Sequence, residues 1–494
     1  MRRTAFIVAL LIFVSSPAFA ADDPMARAAK LLGKRYYSEA ASVLKPKLRT
    51  IKPNRRGTAH LTLGMIYLRS AELHRELYRT SASVQLDYLK KLAASRLRSR
   101  SRFVDLYYGE ALIEVGKYKK AEASLSRFIA DERTNEKHRA IANASLGLGY
   151  YLGGDEKKAK ALWKGLQGKD PEVASSLAAA YSRAGLTDRN PRALAEESLA
   201  AQKKKRRRPS LRLLKGIIAV YAKEGLTDKG LSLVSRASLD KYSYREVIRR
   251  NKVINFYDLS LLRDLSKLYL QASIASLKKA AADAKLKDTA NYYLSEAYAL
   301  VGNPKQSAEV TASFIAASKM PPQFRDRALA RQAANNYQMG RKTEAVGMWD
   351  KLSKKQPEDP ELLAEIILAC GRLRVNCSKV IRKAAVSAEK GEGKRYFPLN
   401  IALGRYYYGK KDYSRTITFL EAGRDKGNKN KIESNDPVAL VDLAEAYYQS
   451  KQFSEALEIY FEMSKHFPEV RQIQEAMQGI YSIEQKSAGD VKIF

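Results

Sequence analysis

The chain has 494 residues, with 89 Lys or Arg against 53 Asp or Glu and a formal net charge of +36. Two cysteines and four scattered histidines exclude a disulfide scaffold, a cysteine-rich metal site and c-type haem attachment. Charge of this size favours acidic partners and says nothing about fold.

The first twenty residues, "MRRTAFIVALLIFVSSPAFA", combine Arg2 and Arg3 with an apolar run from Ala5 to Val14, a break at Pro17 and a small-x-small end at Ala18-Phe19-Ala20. This is the pattern of a cleaved secretory signal peptide (1–20), and the apolar run is too short to span a bilayer. No Cys follows it for lipid attachment, and no later stretch reaches 18 consecutive apolar residues. The expected location is periplasmic or extracellular.

From there the chain reads as one repeated helical hairpin. "GKRYYSEAASVLKP" (33–46) carries the second half of a unit, and Gly64/Tyr67 the first half of another. "YGEALIEVGKYKKAEASLSRF" (108–128) and "LGLGYYLGGDEKKAKALWKGLQGKDP" (146–171) are complete, the latter with Gly147, Tyr150, Gly154, Ala159, Trp163, Leu166 and Pro171 in frame. First halves recur at Ala178/Tyr181, Ile218/Tyr221 and Ser295/Tyr298. "AANNYQMGRKTEAVGMWDKLSKKQP" (333–357), the looser "LGRYYYGKKDYSRTITFL" (403–420) and "LAEAYYQSKQFSEALEIYFEMSKHFP" (443–468) complete the series. Small residues one stripe apart let two helices approach, with bulk one turn away to interlock. No strand alternation is read anywhere, and 240–286 is read as helix.

This frame resembles the tetratricopeptide repeat (TPR), a small residue, Tyr three later, a second small residue, an aromatic and Pro. The resemblance covers residues 24 to 480. It implies an all-α, right-handed superhelical solenoid of about twelve antiparallel hairpins, leaving no segment for a separate catalytic domain. No HExxH or GxSxG motif occurs. "MGRKT" (339–343) ends like a phosphate loop, but Asn335 stands where its first Gly belongs. His60, His74, His138 and His466 lack metal-ligand spacing, so no enzyme, metal or cofactor is expected.

Six consecutive cations, Lys203, Lys204, Lys205, Arg206, Arg207 and Arg208, interrupt the repeats. Such runs act as nuclear addresses, nucleic-acid arms, polyanion contacts or solvated loops. The signal peptide removes the first, and it argues against nucleic acid as a partner. The run is read as a polybasic linker (201–210) between solenoid halves 21–200 and 211–494, with a polyanion contact as its functional reading. Cys370 and Cys377 are too far apart for a disulfide along one helix. A helix end near Gly371 to Leu373 and a cap at Asn376 place them across a turn instead. A disulfide is expected, as in related cysteine-bearing helical-repeat proteins, with two buried free thiols as the plain alternative.

The resemblance implies a scaffold or adaptor that holds a protein or peptide on its concave face. By frame, Tyr151, Tyr337, Tyr408 and Tyr448 turn toward that face, with Arg405 one turn from Tyr408. The plain alternative is that these tyrosines only pack on the neighbouring repeat. Two binding roles stand: assembly of a bacterial envelope machine (polysaccharide export, outer-membrane biogenesis, motility or division), or capture of acidic polysaccharide, lipopolysaccharide or an anionic membrane surface in a basic, Tyr-lined groove.

Overall fold

The computed structural model describes residues 23–94, 103–166, 168, 170–204, 209–237, 244–249, 252–256, 258–316, 322–355, 359–389, 397–424 and 436–466. The signal peptide, Lys205 to Arg208, Pro357 and Pro468 lie outside these residues. The fold is an all-α solenoid of antiparallel helix hairpins. Ten pairs are consecutive: α1 (Pro24–Gly33) and α2 (Tyr37–Leu44); then, after α3 (Pro53–Ala94), α4 (Phe103–Glu114) and α5 (Tyr118–Ala130), α6 (Glu136–Leu152) and α7 (Glu156–Lys164), α8 (Pro171–Ala184) and α9 (Pro191–Lys204), and α10 (Leu211–Glu224) and α11 (Thr227–Ala237). After α12 (Leu259–Ala281) come α13 (Lys287–Val301) and α14 (Pro304–Ala316), α15 (Pro322–Gln338) and α16 (Lys342–Lys355), and α17 (Pro360–Leu373) and α18 (Ser378–Glu389). The last two pairs are α19 (Phe397–Gly409) with α20 (Tyr413–Ala422), and α21 (Pro437–Gln449) with α22 (Phe453–His466).

The hairpins share one internal geometry. Gly109, Gly147 and Gly404 sit where any Cβ would run into Leu125, Trp163 and Leu420, in each case sixteen residues later. The second small position, twelve residues on, is fully buried at Ala159, Ala345, Thr416 and Ala456. Seven residues after the first small position the chain must reverse, and it does so through one left-handed residue. Gly154 (φ 95°) and Gly302 (φ 82°) are typical, since glycine takes this conformation without a Cβ clash. Four hairpins turn instead on Arg35, Arg374, Lys411 and Lys451 (φ 55° to 63°). Pro171 opens α8, with Asp170 accepting from the amides of Glu172 and Val173.

The eleventh hairpin is split. Gly64 on α3 packs against Leu277 on α12, and Ser273 Oγ donates to the Gly64 carbonyl over 2.8 Å. Elsewhere the equivalent bond, Ser307 Oγ to Ser295 O, spans 12 residues; here it spans 209, an excess of 197. The Gly64–Leu277 pair, 213 apart where its counterparts are 16 apart, gives the same excess. The chain accordingly divides into two compact units that do not follow chain order. A host unit comprises 23–73 and 269–466 among the described residues, and an inserted unit comprises 74–268. The segment read as a polybasic linker falls inside the inserted unit, with Lys203 and Lys204 exposed in the last turn of α9. The host core gathers around Trp349, Ile366, Ile367 and Leu403. The inserted unit has one cluster around Phe128 and Trp163 and another around Ile217 and Val220.

One stretch departs from the helical reading of 240–286. Tyr244–Arg249 and Lys252–Phe256 form an antiparallel β-hairpin, β1 and β2, with Val247 opposite Val253 and a register shift between Val247 and Arg249. The β-branched pairs Val247-Ile248 and Val253-Ile254, flanking Arg250-Asn251, favour strands over helix.

Candidate functional site

A cleft opens in the inserted unit where α4, α6, α8 and α10 converge with the second half of α3 and the start of α12. Its floor is made of small residues. Gly216 approaches α8 so closely that a Cβ would stand 2.6 Å from the Ser175 carbonyl, and Ser176, Ala179 and Ala180 keep the space above open. Larger residues there would close it.

The walls carry charge, and that charge is internally balanced. Glu110 accepts from Arg212 Nη1 (2.7 Å), Lys215 Nζ (3.0 Å) and Ser145 Oγ (3.0 Å). Lys215 also reaches Asp258 (2.6 Å), whose carboxylate accepts from Ser260 Oγ and the Leu261 amide as well. Beside them, Arg183 bridges Glu114 (2.9 Å) and Asp264 (3.0 Å), and Arg263 also binds Glu114. Four cations thus meet four carboxylates. Burial by itself would raise the Glu110 carboxyl, but Arg212 and Lys215 outweigh it and hold the group down to about 2. Asp258 is likewise pushed up by burial and pulled further down by Lys215, Ser260 and Leu261, to below the usual carboxylate range. Both acids stay ionised near neutral pH, so neither can act as a general acid there.

Two polar atoms at the cleft are buried without a hydrogen-bond partner, Gln85 Oε1 and Arg183 Nε. Gln85 is 1 % exposed. An orphaned buried acceptor is costly unless a ligand or water completes it. A spare acceptor and a spare donor lining one cleft, where the charges pair internally, suit a peptide amide better than a bare anion.

The host unit uses similar pairing between its first helices. Arg69 binds Glu296 (2.9 Å), Arg331 binds Glu365 (3.3 Å) and donates to Tyr292 O, and Arg405 Nε binds Asp442 (3.0 Å).

The tyrosines named from the sequence fall in both units. Tyr151 belongs to the inserted unit and stacks on Trp163 with centroids 6.1 Å apart. Tyr337 stacks on Trp349 (6.3 Å), Tyr408 meets the edge of Tyr413 (6.2 Å), and Tyr448 lies against Phe453 (5.5 Å), all in the host unit. Each therefore touches the second helix of its own hairpin, and all but Tyr448 keep part of their surface exposed. Cys370 and Cys377 are joined in a disulfide, Cα atoms 6.2 Å apart, across the turn between α17 and α18, where Asn376 caps Ser378.

Sequence reading missed the cleft residues Glu110, Arg212, Lys215 and Asp258. The available signal was "LRLLKGIIAV" (211–220), where two cations interrupt an otherwise apolar helix. Cations so placed require buried carboxylates somewhere else in the chain.

No protein-family model and no curated protein matches the chain. Among solved structures, yeast Tom70 aligns with 12% identity over 99% of this chain and 96% of that one, at a TM-score of 0.31. The Cut9–Hcn1 hetero-tetramer of APC/C aligns with 14% identity over 96% and 99%, at 0.28. The TPR domain of P58(IPK) aligns with 14% identity over 78% and 98%, at 0.19.

Proposed function

We propose that this chain is a non-catalytic scaffold of the secreted or periplasmic TPR type, holding a protein or peptide within a bacterial envelope assembly such as polysaccharide export, outer-membrane biogenesis, motility or division. The observation that carries the reading is the inserted unit's cleft, built by the first helices of four successive hairpins and ending in unpartnered polar atoms on Gln85 and Arg183. Tyr151, Tyr337, Arg405, Tyr408 and Tyr448 are proposed as further partner contacts, and Lys203 to Arg208 as a contact for acidic surfaces. Among the described residues no helix is long and apolar enough to cross a membrane.

A photo-crosslinking residue at Ser176, introduced in the native envelope, tests the proposal. It is expected to capture a discrete protein, and Arg at the neighbouring Ala180 should fill the cleft and abolish capture without changing the far-UV spectrum. Capture that persists with the cleft filled overturns the assignment of the site.

A further inference from the structure

The excess of positive charge is unevenly placed. Across the ten consecutive hairpins, the first helices carry 14 basic and 13 acidic residues, whereas the second helices carry 22 basic and 14 acidic. The cleft and ladder cations on first helices are consumed by buried carboxylates, as described above. Those on second helices mostly face solvent. In the inserted unit, Lys157, Lys158, Lys160 and Lys164 of α7 are all exposed.

The host unit shows a second case, on α16 and α18. Lys351, Lys354 and Lys355 are exposed on the first of these helices, and Lys379, Arg382 and Lys383 on the second. The two sets lie within electrostatic reach of one another. Lys354 Nζ binds Asp350 at 2.8 Å, and Lys379 and Lys383 from the neighbouring helix act on the same carboxylate, keeping it below its ordinary value. Lys379, Arg382 and Lys383 form no ion pair with another described residue within salt-bridge distance. Two apolar side chains share the surface. Val346 is 40% exposed one turn from Asp350, and Val386 is 48% exposed one turn from Lys383. They are two of five large apolar side chains exposed to this extent among the described residues.

We infer that the α16–α18 face of the host unit is a docking surface for an anionic lipid bilayer. Two features favour lipid over an acidic polymer. The cations of the surface are mostly lysines, hydrated point charges without the bidentate fork that selects individual carboxylates. Its exposed valines have no use against a hydrated glycan. At a headgroup layer, valines enter the acyl boundary while lysine stems lie along it and their ammonium groups reach the phosphates. The face shares no residue with the peptide cleft, so the two readings are tested by different substitutions.

The test is co-sedimentation of the full chain with phosphatidylcholine vesicles, with and without phosphatidylglycerol, in 20 mM salt. Binding should require phosphatidylglycerol. Changing Lys379, Arg382 and Lys383 together to Gln should weaken it on the order of 100-fold, at roughly 5-fold per cation. Removing Lys52, Lys223 and Lys285, exposed outside this face, should cost only a few-fold. V346S with V386S should weaken vesicle binding several-fold while leaving retention on immobilised polygalacturonate unchanged. Equal losses for the two charge triples would reduce the effect to net charge and overturn the site. Vesicle binding indifferent to the valine changes, with tighter retention on polygalacturonate, would assign the face to acidic glycan instead. No cleft residue is altered, so failure here leaves the scaffold reading standing.

Discussion

Trp163 lies directly on Gly147, and its Nε1 donates to the Ala144 carbonyl over 3.1 Å. Trp349 repeats the bond with Ala330 O at 2.9 Å. Adding a methyl at 147 leaves the indole nowhere to go. Gly147→Ala is expected to lower stability by about 1–3 kcal/mol. By contrast Gly347, mid-helix with nothing within 4 Å of its would-be Cβ, should gain about 0.5–1 kcal/mol on the same change. Ala159→Leu and Ala345→Leu belong with the first, Lys158→Leu and Glu344→Leu being near neutral at exposed positions. Thermal melts that fail to separate the two groups refute the packing frame.

Lys411 and Arg374 occupy left-handed turns where six other hairpins use glycine. Lys411→Gly relieves the Cβ strain and costs some unfolded-state entropy, for a net gain of up to about 1 kcal/mol. Gly302→Ala should lose a comparable amount. Urea midpoints of the two variants should move in opposite directions.

The disulfide closes a loop of only seven residues' separation. Its contribution should be about 2.5 kcal/mol. Unfolded, unreduced protein should therefore titrate no thiols, and Cys370→Ala with Cys377→Ala should shift the host unit's transition to lower denaturant. Two reactive thiols in the unreduced chain would contradict the bond.

Glu110 and Glu296 both sit at about 2; burial raises each, and the cations beside them more than compensate. A carboxyl depressed in the folded state binds its proton more readily when unfolded. Its stabilisation is therefore complete above about pH 4.5 and lost as pH falls toward 2. Melting temperature should drop steeply across that window. Glu110→Gln should be less stable at pH 7 yet lose less on acidification; an unchanged acid slope argues against the Arg212–Lys215 pairing.

Replacing Lys203 to Arg208 with Ser should leave the melting temperature nearly unchanged and weaken binding to lipopolysaccharide or anionic vesicles at low salt, where screening is weak. Lys203 and Lys204 extend into solvent from the end of α9. Binding that is unchanged in 20 mM salt makes the run a connection only.

The repeat frame was legible because it depends on residue size at fixed short spacings, as with Gly147, Ala159 and Trp163. The cleft was not, because its partners are far apart: Arg212 binds Glu110 across 102 residues and Arg263 binds Glu114 across 149. The insertion was hidden by continuity. Residues 65 to 94 run on as one helix, with no glycine or proline to mark the departure at 73. The β-hairpin was hidden by brevity, since five- and six-residue strands give too few alternations to compete with the helical pattern around them.

The split hairpin has a consequence in time. At roughly 5–20 residues per second of synthesis, the 197 extra residues between Gly64 and its packing partner delay their meeting by roughly 10–40 s. Meanwhile the inserted unit's own hairpins close over short separations as they emerge. The part of the protein that is made first is therefore finished later. Chains arrested with residue 268 just clear of the ribosome should protect 103–237 from protease while 24–73 remains cleavable, and that early segment is where a holding chaperone has its longest opportunity.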